Sequence, residues 1–221
     1  MANIGQRITD LIGSDYNSIP SLSYQDLINS AINEIADMLP NELLLKYVHY
    51  KTDITSAGLD APEEKKVLLV TREIADSGLE VRECRAVPYH EFLRAQNANS
   101  IYLATVESPI YTIDVYTATD PKLKIFPVPT NDSIGTVWHF NYATGDHTGS
   151  STVNGLPDSC LQAVVLKACM NILQAYISDF VQDEEDTELQ QMLTVQVGGL
   201  GQMFQQEMAR FIEPGATPKG E

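Results

Sequence analysis

Between Ser23 and Pro40, Leu27, Ile28, Ala31, Ile32, Ile35 and Met38 recur at steps of three and four, the spacing that gathers apolar side chains on one face of a helix. Ser23 stands at the N-cap position with Asp26 three residues on, and Pro40 stops the run. Upstream, Ile4, Ile8, Leu11 and Ile12 predict a short helix, followed by the turn-rich segment 13–20. From about residue 43 to 145 the period shortens toward two, and strands are expected over 66–71, 79–86, 100–106, 111–117, 122–126 and 136–142. In these, Tyr111, Ile113 and Val115 share a face opposite Thr112, Asp114 and Tyr116, and Trp138, Phe140 and Tyr142 oppose Val137, His139 and Asn141. The second set of aromatics is expected to pack in the core. Pro88 opens a helical turn or two that runs to Arg94, and Pro127 and Pro129 end the strand before them.

The small, polar stretch 146–155 marks a return to helix. Pro157 suits a first helical position, and Leu161, Val165, Ala168, Cys169, Ile172, Tyr176 and Phe180 trace one face over about seven turns. After the acidic run 183–188, Leu189, Leu193, Val197, Leu200, Phe204, Met208 and Phe211 trace a second, so two long antiparallel helices are expected. The fold class that follows is α+β, a helical bundle with an inserted antiparallel β-rich domain. Its parts are an N-terminal helical segment 1–42, a β-rich insertion 43–150, a C-terminal helical hairpin 151–213 and an extended tail 214–221.

Charge narrows the function. Against 14 Lys and Arg stand 30 Asp and Glu, a formal −16, which disfavours a protein that coats nucleic acid through its phosphates. The N-terminus lacks an apolar core and no run approaches the length of a membrane span, so neither a secretory nor a membrane segment is expected. Cys84, Cys160 and Cys169 lack metal-ligand spacing and read as buried thiols. His49, His90, His139 and His147 lie in separate segments, and the run 183–188 lacks the alternation of a calcium loop and suits the start of a helix. Phosphate-binding, hydrolase, metalloprotease and dinucleotide motifs are absent, His90 and Glu91 being one adjacent acid and base, so no catalysis, cofactor or metal is expected.

Gly198, Gly199 and Gly201 stand inside the last helical pattern, where each costs about 1 kcal/mol against alanine. Either a neighbouring backbone approaches closely or the helix bends there, the alternative being a loop between two shorter helices. Tyr102, Tyr111, Tyr116, Phe126, Trp138, Phe140 and Tyr142 admit a second functional class, a glycan- or receptor-binding β module such as a tail nozzle.

Three features together resemble the adaptor proteins of tailed bacteriophages, the head-to-tail connectors of the neck: the helix over 22–39, the β segments 100–105, 108–111, 125–129 and 137–142, and the paired closing helices from Leu156 to Phe211. The resemblance implies a non-enzymatic virion protein, present in host cytoplasm during assembly, that forms a ring of about twelve copies joining portal to tail. Its partners would be further copies of itself, the portal protein and tail, nozzle or neck proteins, with no membrane. DNA would pass through the ring without specific binding, eased by carboxylates that repel phosphate. A C-terminal segment would dock into the portal, here Phe211, Ile212, Glu213 and Pro214 with the tail beyond.

Overall fold

The computed structural model describes residues 2–13, 23–48, 50–54, 59–60, 65–74, 80–114, 122–130, 133–178 and 187–212. The protein is α+β, and its chain divides into two units, Met1–Tyr47 with Tyr142–Glu221, and Val48–Asn141.

The first unit is helical and organised around α5 (Leu161–Tyr176). This helix buries Ala163, Val164, Val165, Leu166, Ala168, Cys169, Ile172 and Leu173, which lie all round its axis. Apolar side chains on every face make a central helix, and α1 (Ile4–Ile12), α2 (Tyr24–Met38) and α6 (Thr187–Ile212) each pack on it. Its α-helical part runs for 16 residues after a 3-10 turn over Asp158–Cys160, and Phe180, expected on its last turn, lies outside the described residues. The start of α1 is fixed twice over. Asn3 Oδ1 accepts from the Gln6 N–H at 2.7 Å, and the N–H groups of Ile4 and Gly5 donate to the carbonyls of Ser150 and Thr148 at 2.9 Å. A Cβ on Gly5 would lie 3.1 Å from the Thr148 carbonyl oxygen, so a larger residue would push those contacts apart by a few tenths of an ångström. Ser23 does occupy the N-cap of α2, but its hydroxyl makes no capping bond, and the contact there is Leu27 N–H to the Ser23 carbonyl. Ile28, Ala31, Ile32 and Ile35 are buried as their spacing predicts, whereas Met38 is exposed and Asn29 is buried in its stead. Asn29 belongs there because its amide donates to the Gly145 carbonyl at 3.0 Å.

The second unit holds two four-stranded sheets. β1 (Lys51–Ile54), β8 (Gly135–Asn141), β3 (Lys65–Glu73) and β4 (Val81–Glu83) form one, in that order. β2 (Leu59–Asp60), β7 (Lys122–Phe126), β6 (Ile110–Asp114) and β5 (Arg85–Ala86) form the other. All pairings are antiparallel except β5 with β6. Ile54, Val70 and Val137 of one sheet and Leu123 and Ile125 of the other share a single core with Cys84. Gly135 permits this closeness, since a Cβ there would fall 2.6 Å from Ile125 Cδ1 and 3.0 Å from Pro129 Cγ. Arg72, itself buried, fastens the loop after β7: Nε donates to the Pro127 carbonyl and Nη1 to the Glu73 carbonyl, both at 2.8 Å.

Three expectations are corrected, and β6 adds a finding of its own. The strand over 79–86 breaks at Cys84, whose N–H donates to the Val70 carbonyl at 2.8 Å. The chain changes sheets at this buried corner, from β4 beside β3 to β5 beside β6. The strand over 100–106 is a series of turns, because Asn97 and Ser100 bond locally: Asn97 Oδ1 accepts from the Asn99 N–H and Ser100 Oγ from the Tyr102 N–H. β6 packs on both faces: Tyr111 lies on the face of Leu123 and Ile125, in the core between the sheets, whereas Ile110, Thr112 and Asp114 are buried on the other, and Ile113 is exposed. Burial of that carboxylate is made tolerable by Lys124 Nζ at 2.6 Å. In β8, Val137 and His139 are buried and Trp138 is only half-buried, so the aromatic face is not uniformly the core face, although Phe140 is buried.

Candidate functional site

The outward face of α6 is the most conspicuous surface of the helical unit. Leu193, Leu200, Phe204 and Met208 form its buried stripe, and α5 is the helix it packs on. At 100° per residue, Met192, Val195, Gly199 and Met203, followed by Gln206, fall within an arc of about 80°, centred about 140° away from that stripe. Their side chains face solvent, Met192 at 60%, Val195 at 76% and Met203 at 47% exposure. A solvated helix face ordinarily carries charge, yet residues 189–206 contain no Asp, Glu, Lys or Arg, 18 uncharged positions in a chain where one residue in five is charged.

The glycines belong partly to this face. The helix runs unbroken from Thr187 to Ile212, which removes the loop and the break as explanations. Gly201 looks toward α5, where a Cβ would meet Met170 Cε at an ordinary 3.6 Å. Among the described residues a Cβ on Gly198 or Gly199 would meet nothing within 4 Å, so the close approach offered as one explanation from sequence is not made by any of them. Met192, Val195 and Met203 were not singled out from sequence; the uncharged run was the signal that could have found them.

The docking residues proposed from sequence separate. Phe211 is half-buried in the last turn of α6, Ile212 closes the helix, and Glu213 and Pro214 lie outside the described residues. Residues 183–186 and His49 and Tyr116 also lie outside them.

The polar side of α2 forms a groove of about 530 Å³ with residues 142–145. Its groups are engaged in holding that segment. Asn33 Oδ1 accepts from the Ala143 N–H at 2.6 Å, and the Tyr142 hydroxyl donates to Asp37 at 2.7 Å. Burial and the neighbouring Asp37 carboxylate push the Tyr142 phenol up to about 12. Burial alone would raise Glu34, but the bond and charge of Lys167, 2.7 Å away, hold its carboxyl below the ordinary range.

The remaining reactive side chains do not converge. Cys84, Cys160 and Cys169 are free and buried, their thiols pushed up to about 12 chiefly by burial. His139 is buried, stacked on Tyr50 with ring centroids 6.3 Å apart, and its Nε2 lies 3.0 Å from Thr52 Oγ1. Burial and then the charge of Lys65 lower its pKa. Glu91 lines a cavity of the β unit that its neighbour His90 does not line. Among the described residues no group of three or more His, Cys, Asp or Glu is placed to hold a metal ion. The aromatics are also dispersed: Phe126 meets Phe92 edge-on, Tyr111 packs against the core between the sheets and Tyr102 stands exposed in a turn. Among the described helices, none is long and apolar enough to cross a membrane.

The chain matches no family model and no curated protein sequence.

Proposed function

We propose that the chain is a structural subunit of a tailed-phage virion, an adaptor whose copies close a ring between portal and tail and line part of the DNA channel. In this reading the N-terminal helices and the two long C-terminal helices form a bundle, into whose sequence the β unit is inserted. The observation that carries it is the second apolar stripe of α6: a helix with one face on α5 presents another, uncharged and led by Met192, Val195 and Met203. Apolar faces of this kind mark protein contacts. Gly199 in the middle of the stripe leaves room for a partner's backbone.

A closed ring needs each copy to present two different surfaces, so the stripe of one copy meets another region of the next. Charge is also distributed usefully. The helical unit carries 5 basic against 17 acidic residues, 5 − 17 = −12, and the β unit 9 against 13, 9 − 13 = −4. Carboxylates of the helical unit that face the channel would repel phosphate and let the genome slide. Electron microscopy and mass photometry of the purified chain, alone and mixed with a portal protein, test the reading. A ring of fixed copy number is expected. A chain that stays monomeric with portal present refutes it.

A further inference from the structure

We propose that the β unit carries a docking site for an acidic, leucine-bearing segment of a partner polypeptide, at the cavity where Arg85 and Arg94 meet. The site is separate from the α6 stripe and stands if the ring reading falls. The cavity holds about 360 Å³, at the low end of the range of about 300–1,000 Å³ for ligand pockets, which suits one or two side chains. Arg85 comes from the edge strand β5, Arg94 from the last turn of α4 (Tyr89–Ala95), and Tyr102 from the turns that follow. Val87 and Ala95 supply apolar lining.

The walls are firmly held. Val87, Phe92, Ala95, Ala104 and Ile110 form a core of their own, and the Ala104 N–H donates to the Ala95 carbonyl, tying the turns to the end of α4. Among the described residues, neither guanidinium has an ion-pair or hydrogen-bond partner, whereas nearby Arg82 is paired with Glu107 at 3.2 Å. In a chain of net −16, two unpaired arginines on one cavity are a local reversal of charge. Guanidinium forks match carboxylates bidentately. Glu91 on the same wall leaves the cavity's charged groups at a formal +1, which suits a single carboxylate rather than a run of phosphates. The occupant also has apolar surface to cover. Val87, Ala95 and Ile110 give the same cavity an apolar wall. A carboxylate flanked by leucine, on an extended segment, uses both features, which a small free acid cannot.

The test titrates a fluorescein-labelled peptide of alternating glutamate and leucine into the full chain and reads anisotropy. Saturable binding is expected, weakened at least ten-fold, about 1.4 kcal/mol, by Arg85→Gln with Arg94→Gln, and unaffected by Arg82→Gln. In the unsubstituted protein, the bound peptide is expected to protect Arg85 and Arg94 from phenylglyoxal, read by mass spectrometry; this arm stands even if the double variant fails to fold. Absence of saturable binding, undiminished binding by a folded double variant, or no protection of the two arginines overturns the proposal. So does competition by glutarate or by a single-stranded oligonucleotide as effective as that of unlabelled peptide.

Discussion

Replacing Gly198 and Gly199 by alanine together separates what the chain needs alone from what it needs in an assembly. Both glycines lie mid-helix with nothing within 4 Å of the place a Cβ would take, so neither replacement meets a clash. Each then recovers the helix propensity that glycine forfeits, about 1 kcal/mol, or about 2 kcal/mol for the pair. In a chain of 221 residues, where 1 kcal/mol shifts Tm by about 2–4 °C, the double variant should melt roughly 4–8 °C higher. The assay is thermal unfolding followed at 222 nm, at a concentration where the protein is monomeric. A lower Tm would refute the reasoning, because it would mean that α6 needs glycine inside the subunit itself. The companion substitution Gly199→Leu should leave the monomer folded and abolish ring formation in mass photometry. Rings formed as readily with leucine there would remove α6 from the subunit contact.

Lys124→Met should destabilise the β unit by about 1–3 kcal/mol in denaturant unfolding, because it removes a 2.6 Å charged hydrogen-bond donor from the buried Asp114 carboxylate; a change below about 0.5 kcal/mol would show that the ion pair contributes little. The depressed Glu34 pKa stabilises the fold above its ordinary value of about 4.5, and this contribution disappears as pH falls through the lower folded value. Glu34→Gln should therefore flatten the acid limb of a stability-versus-pH curve, and an unchanged limb would contradict the Lys167 contact. All three thiols should resist an aromatic disulfide reagent at pH 8 in the native protein and react at once in denaturant. A fast-reacting native thiol would mean that its surroundings open.

Helices were the most legible part of this sequence. The three- and four-residue spacing of Ile28, Ala31, Ile32 and Ile35 has one structural meaning, and α2 ends at Met38, with Leu39 extended before Pro40. Strand limits over 66–71, 122–126 and 136–142 fall within two residues of β3, β7 and β8. What alternation could not give was the buried face. Thr112 and Asp114 are buried because a lysine two strand positions away from Asp114's own cross-strand partner reaches back to it, a tertiary fact invisible to a period of two. The strand expected over 100–106 failed for a local reason, the Asn97 and Ser100 side chains competing for backbone groups. Of the surfaces, the Gly198-Gly199 anomaly was readable, but its sense was not: glycine in a helix fits a close neighbour, a bend or a loop, and only the structure shows an unbroken helix with no close neighbour among the described residues. Arg85 and Arg94 come from segments with no shared pattern, and their meeting was not legible at all.

The central position of α5 has a consequence for synthesis. The first two helices leave the ribosome early, yet the element that covers them begins at Leu161, 123 residues after α2 ends at Met38. At about 5–20 residues per second, their greasy sides wait roughly 6–25 s for a cover. A nascent chain with so long a delay is a natural client for chaperones, and its yield should depend on them far more than its finished stability would suggest.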